Sequence, residues 1–312
     1  MSDRDPFPFL SPEPPRTPQG LIDRAAAMAA PRVALVNAGS VNALGGIREA
    51  AGAGLAEPIL IGDEAKIRQV AEQVGYDISG LRLIHAPHAE ASHEAARLAR
   101  EGEADAVMKG QVHTSTFLKG LLPSRAGLRD KGTRCGHVFH ITSPRSDRPL
   151  LLTDAALNVD PDVETRKACL THAVSLARKL GVPRPKVALL APTEDPIPSV
   201  PNTMESAEIA AWARATLSEI DVAGPIALDL IWSAEAAEVK SYDSPVAGDA
   251  DIMVVPNITS GNALFKMMVF GMGCCAGGVV LGAKVPILLT SRAQKAPARL
   301  TSAAFGVIAA SA

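Results

Sequence analysis

No stretch of the chain stays uniformly apolar for the roughly 18 residues or more that a membrane span needs. The run from Met267 to Leu289 comes closest, and glycines, Lys284 and Pro286 interrupt it. The start of the chain does not read as a secretory leader. Charges at Asp3, Arg4 and Asp5 precede a proline-rich run from Pro6 to Pro18 without an apolar core segment. Charge of one sign is not in excess: 31 basic against 33 acidic residues give a formal net charge of -2. That excludes a broad field for nucleic acid or an anionic membrane, so an anionic ligand must be held by local groups. Cysteine is sparse as well. Cys135, Cys169, Cys274 and Cys275 form no CxxC pair and share no metal-ligand spacing with histidine. They read as small buried apolar side chains in a reducing, cytoplasmic compartment. The phosphate loop GxxxxGK[ST], the dinucleotide fingerprint GxGxxG, the GxSxG elbow and HExxH are all missing.

What is there is alternation. The chain has 312 residues, 47% of them apolar, enough for one large or two medium domains. Strand candidates are Arg32–Asn37, Pro58–Gly62, Leu81–Ala86, Ala104–Lys109, His137–Thr142, Pro149–Thr153, Lys186–Ala191, Ile226–Leu230, Asp251–Pro256, Gly278–Leu281 and Val285–Thr290. Several are runs of Val, Ile and Leu without polar alternation, as expected of strands buried on both faces. Helical segments lie between them. The clearest spans about Pro161–Leu180, with Asp160 suited to the N-cap and Gly181 and Pro183 stopping it. This pattern predicts an α/β protein of two α/β/α domains with mainly parallel sheets and a cleft between them. Residues 1–19 read as a disordered or extended arm, residues 20–145 plus 290–312 as the first domain, and residues 146–289 as the second.

Ligands of parallel sheets bind beyond the carboxyl ends of the strands. Four segments there carry candidate chemistry. In Val107-Met-Lys-Gly-Gln-Val-His-Thr-Ser-Thr116 a strand runs through Lys109 and Gly110 into a helix start. Thr114 or Ser115 would cap that helix, its free amides favour an anion, and Lys109 adds positive charge. Ordinary capping beside a surface lysine, with a structural His113, accounts for the same residues. In Pro256-Asn-Ile-Thr-Ser-Gly-Asn-Ala-Leu-Phe-Lys266, donors on Ser260 and Asn262 flank Gly261, and Lys266 lies one helical turn on. A plain Asx-capped loop is the alternative. In Leu288-Leu-Thr-Ser-Arg292, Ser291 and Arg292 pair a hydroxyl with a planar fork matched to phosphate, or else Arg292 makes a surface salt bridge. Asp154, in Leu152-Thr-Asp-Ala-Ala-Leu-Asn158, either orients a ligand or caps the next helix.

Together these segments resemble the phosphate acetyl/butyryltransferase family, from about Leu21 onward. The specific blocks are VMKGQVHTSTFLKGLL (107–122), HVFHITSPRSDRPLLLTDAALNVDPDVETRKACLTHAV (137–174), DIMVVPNITSGNALFKMM (251–268) and VPILLTSRA (285–293). The resemblance implies reversible conversion of acyl-CoA and phosphate into acyl phosphate and CoA. It also implies an isocitrate/isopropylmalate dehydrogenase-like fold, a homodimer, and no metal or cofactor, CoA being a substrate. It places Ser291, Arg292 and Lys266 at the acyl-phosphate site, faced by Thr114 and Ser115 of the first domain. Phosphate acetyltransferases carry an aspartate a few residues after Ser-Arg as base on the CoA thiol. Here AQKAPARL follows Arg292, with no acid. The region is more similar to the phosphobutyryltransferase and hydratase-linked branches, and Asp154 and His113 remain as candidate bases. Two other readings stay open. One is a CoA-binding sensor that has lost catalysis. The other is an NAD- and metal-dependent hydroxy-acid dehydrogenase, for which Asp249 and Asp251 are the nearest acidic pair.

Overall fold

The computed structural model describes residues 8–289 and 296–311. In chain order the elements are α1 (Gln19–Ala26), β1 (Arg32–Val36), α2 (Val41–Gly52), β2 (Glu57–Gly62), α3 (Glu64–Gln73), β3 (Arg82–His85), α4 (Ala91–Arg100), β4 (Ala106–Lys109) and α5 (Thr114–Leu121). There follow β5 (Gly136–Ser143), β6 (Ser146–Thr153), α6 (Val163–Lys179), β7 (Lys186–Leu190), α7 (Pro201–Thr216), β8 (Asp221–Ile226), α8 (Leu228–Trp232), α9 (Ala234–Val239), β9 (Ile252–Val254) and α10 (Ile258–Lys266). A π-helical turn (Met267–Gly271) leads to β10 (Cys275–Leu281), β11 (Ile287–Leu288) and α11 (Ala296–Ala310).

The chain divides into two compact units that part at Cys135/Gly136 and Ala276/Gly277. The sequence placed these crossings near residues 145 and 290. The predicted boundary at Pro144–Pro149 is instead a hairpin joining β5 and β6. Pro149 lies inside β6 beside a register shift, where its missing N–H is tolerated.

One unit holds residues 17–135 and the described residues from Gly277 on. Its strands run in the order β3-β2-β1-β4-β11-β10. They are parallel except for the antiparallel β10–β11 pair. Every residue of β4 and residues 33–36 of β1 are buried, as the unbroken apolar runs require. Phe117 and Leu121 of α5 are fully buried. Each such side chain contributes about 1.5–3 kcal/mol.

The other unit holds residues 136–276 and the described residues up to Arg16. Its strands run β5-β6-β9-β7-β8, parallel except for the β5–β6 hairpin. Its core gathers Phe139, Ile141, Leu152, Met253, Val255 and Met268. The strand expected over Ile226–Leu230 lies earlier, at β8, and Leu228 already opens α8. Helix α6 is capped by Asp162, whose side chain accepts from Thr165 N at 2.7 Å, and not by Asp160.

Residues 1–7 of the predicted arm lie outside the described residues. Residues 8–18 form no helix or strand, but they are tethered. Ser11 N donates to Phe270 O at 2.8 Å, and Arg16 pairs with Asp147 at 2.7 Å. Gln19, placed in the arm by the sequence, opens α1.

Candidate active site

Within the unit of residues 17–135, the first constellation grows from the end of β4. Lys109 pairs in register with Val36, and the chain then turns sharply against β1. Gly110 N donates to Val36 O at 3.0 Å and Gln111 N to Asn37 O at 3.0 Å. Asn37, in the left-handed region at φ 54, fixes this corner by donating its side-chain amide to His88 O at 3.1 Å. The Lys109 side chain does not project into solvent as a surface lysine would. It is buried, and its ammonium donates to Val112 O at 3.1 Å and Gly110 O at 3.4 Å. Its charge thus braces the loop between β4 and α5.

Helix α5 starts at Thr114, one residue earlier than a Thr114 cap would require and two earlier than a Ser115 cap would. His113 occupies the cap position, and its side chain makes no capping bond. Thr114 and Ser115 are exposed in the first turn. The leading amides of α5 are therefore left without a side-chain cap, an arrangement that favours an anion.

The second constellation lies in the unit of residues 136–276. Asp154 is only 4% exposed, and its two oxygens accept from four N–H groups. Oδ1 takes Ala156 N at 2.9 Å and Leu157 N at 2.8 Å. Oδ2 takes His137 N at 3.1 Å and Asn158 Nδ2 at 2.7 Å. Asp154 therefore caps no helix; it ties the turn after β6 to the start of β5.

That turn receives α10. Asn257 caps the helix, its side-chain oxygen accepting from Ser260 N and Ser260 Oγ, each at 3.0 Å. Ile258 N donates to Val159 O at 3.1 Å, and Asn262 Nδ2 to Ala155 O at 3.3 Å. A Cβ on Gly261 would lie 2.8 Å from Val255 Cγ2 and 2.9 Å from Ala155 Cα, so only glycine allows this approach. One turn on, Phe265 stacks on Phe139 with centroids 4.3 Å apart. The helix ends on Lys266, which is exposed.

Asp154 and the Ser260-Gly261-Asn262 run belong to two separate segments of the sequence, and the fold joins them through the bond from Asn262 to Ala155. Asn158 and Asn257 lie within the four candidate segments, and His137 lies outside them. Asn257 was legible as the Asx-type cap of the Pro-Asn-Ile-Thr-Ser run. His137 had no signal, because its backbone makes the bond. Burial pushes the His137 imidazole down to about 4, against the pull of the nearby Asp154 charge. Ser291 and Arg292 lie outside the described residues.

The acidic pair of the dehydrogenase reading is otherwise engaged. Asp249 is bound by Arg148 and Lys186, and Asp251 by Arg148 at 2.9 Å and by Lys186 N at 2.9 Å. All four cysteines are buried and unbridged. Burial raises the thiols of Cys135 and Cys274, which makes them poor nucleophiles.

Similarity to known proteins follows the same segments. A phosphate acetyl/butaryl transferase family model matches residues 86–307. A phosphate acetyltransferase of Rhizobium meliloti is 39% identical over 85% of this chain and 84% of its own length. A phosphate butyryltransferase of Clostridium acetobutylicum is 34% identical over 89% and 93%. Among solved structures, a branched-chain phosphotransacylase from Enterococcus faecalis V583 superposes with a TM-score of 0.78 at 31% identity, covering 89% of this chain and 98% of that one. A 4-hydroxythreonine-4-phosphate dehydrogenase from Burkholderia phymatum shares the fold alone, at a TM-score of 0.56 and 14% identity over 90% of this chain and 98% of that one. With the matched region running from before β4 to within α11, and so through every candidate residue, this chain belongs to the phosphate acetyl/butyryltransferase family.

Proposed function

We propose that the protein transfers a short acyl group reversibly between CoA and inorganic phosphate: acyl-CoA and phosphate give acyl phosphate and free CoA. The observation that carries this reading is the family match over residues 86–307, which includes Lys109 to Ser115, Asp154, the α10 segment and the Ser291-Arg292 pair. In the synthetic direction a phosphate oxygen attacks the thioester carbon, the C–S bond breaks, and the thiolate leaves with CoA. No oxidation state changes, so the chemistry requires no redox cofactor, and in this reading the chain's own cations take the place a metal would have. Positioning two anionic substrates supplies much of the acceleration.

In this reading Arg292 and Lys266 hold the phosphoryl oxygens, Arg292 through its bidentate fork. Ser291 and the uncapped amides at Thr114 and Ser115 stabilise charge on the acyl oxygen. A thiol of pKa about 8.5 is partly ionised by nearby positive charge, which lessens the demand on a base. With the oxygens of Asp154 taken up by N–H groups, His113 is the candidate base that remains.

The reading extends to a cytoplasmic homodimer. The support for the dimer is an apolar surface formed by Phe9, Met267 and Phe270, which are 69%, 55% and 58% exposed; the support for the compartment is the four unbridged cysteines. Sedimentation of the wild type beside Phe270→Asp tests the dimer, and an unchanged sedimentation coefficient would remove this surface from the interface.

The activity is tested by following thiol release from acyl-CoAs with and without phosphate. Release that depends on phosphate and is insensitive to EDTA is the expected result. CoA binding without release would favour the non-catalytic sensor instead.

A further inference from the structure

We infer that Asp154 is a positioning residue: it touches no substrate and sets the place of Lys266 by building the turn on which α10 is docked. The inference rests on the phosphate role proposed for Lys266. Three features carry it. First, Asp154 is buried and both its oxygens are filled by N–H donors from its own loop and from β5, which leaves no lone pair aimed at a ligand. Second, those bonds hold the loop of residues 155–159 so that two of its carbonyls meet α10. Ala155 O receives Asn262 Nδ2 at 3.3 Å and Val159 O receives Ile258 N at 3.1 Å. Third, the contact is too tight for α10 to shift independently. Gly261 lies against Ala155 and Val255, and Phe265 is stacked on Phe139. Lys266 is the next residue of the same helix and projects outward.

The chemistry of the carboxylate makes the role testable. In Asp154→Asn one oxygen becomes an NH2 group. Whichever way the amide turns, that NH2 faces two donors, either Ala156 N with Leu157 N or His137 N with Asn158 Nδ2. The loop must then rearrange, and α10 moves with it. Shape and volume are nearly unchanged, so the effect reports hydrogen bonding and not packing.

The experiment is a double-mutant cycle on the full chain, read as the KM for phosphate and kcat for acyl phosphate formation. Lys266→Ala and Asp154→Asn are each expected to raise the phosphate KM about tenfold. The double variant is expected to be no worse than Lys266→Ala alone, because displacing a side chain already removed costs nothing more. A fold defect alone would lower the amount of active enzyme and leave KM untouched. Asn262→Ala keeps the Asp154 turn and cuts its link to α10. It should show the same non-additivity with Lys266→Ala, and it takes the place of Asp154→Asn if that variant does not fold. Penalties that multiply, or an unchanged phosphate KM in Asp154→Asn, would overturn the inference and leave the proposed reaction standing. A wild-type phosphate KM in Lys266→Ala would remove the phosphate role of Lys266 itself, and this inference with it.

Discussion

Gly110 lies directly against the carbonyl that ends β1. Its N–H donates to Val36 O at 3.0 Å, and a methyl group at this position would stand only 2.4 Å from the same oxygen. Both partners are backbone, so neither can swing aside. Gly110→Ala is therefore expected to destabilise the protein by about 1–3 kcal/mol, as overpacking does. Thermal denaturation should show a fall of several degrees. A midpoint equal to wild type would mean that the turn after β4 can move.

Arg292→Lys keeps the charge but loses the fork, so the KM for phosphate should rise, by about tenfold or more. Arg292→Ala should nearly abolish turnover without changing the circular dichroism spectrum. Wild-type kinetics in folded Arg292→Ala protein would remove the residue from the site.

Changing Cys135, Cys169, Cys274 or Cys275 singly to alanine should cost stability at most, on the order of 1 kcal/mol each. The reacting thiol belongs to CoA, and kcat should stay within about twofold of wild type. Trapping an acylated cysteine in a single turnover would overturn direct transfer.

Two buried histidines make stability depend on pH. Burial pushes His137 and His140 each down to about 4 from an ordinary value of 6.5. The unfolded chain takes up protons on both below pH 6.5, and the folded chain does not until about pH 4. More protons are bound unfolded, so stability is full above the upper limit and is lost as pH falls through that window. Melting temperatures between pH 7.5 and pH 4.5 measure the slope, and His137→Phe should make it shallower. An unchanged slope would mean that His137 titrates alike in both states.

The absence of an acid after Arg292 bears on acyl preference. Each added methylene buried in a pocket contributes about 0.8 kcal/mol, or a few-fold in kcat/KM. Butyryl-CoA is expected to be at least as good a substrate as acetyl-CoA. Measuring kcat/KM across acyl-CoAs of two to six carbons decides it. An acetyl preference above about tenfold would show that the residue after Ser-Arg does not report chain length.

The layered α/β fold was legible because strands such as β1 and β4 are buried on both faces and carry no polar alternation. The hairpin of β5 and β6 was not, because Pro144 and Pro149 read as a linker when one is a turn and the other sits beside a register shift. In the candidate site, the segments were visible from their donors and glycines, but their partnerships were not. Nothing local says that Asn262 reaches back to Ala155, a residue 107 positions away in sequence. Nor does it say that Lys109 turns inward onto its own loop. The first link depends on which loops the sheet order brings side by side, and the second on the sharp turn after β4.

The interleaved path of the chain also dictates an order of assembly. The strands β5 to β9 of one unit come from a single continuous segment, whereas in the other unit β4 waits for β11, and α1 and α2 wait for α11. On the ribosome the earlier segment therefore emerges unfinished, its apolar β4 edge open, while the later one matures. Elements synthesised later, β11 and α11, close the unit to which β4, α1 and α2 belong.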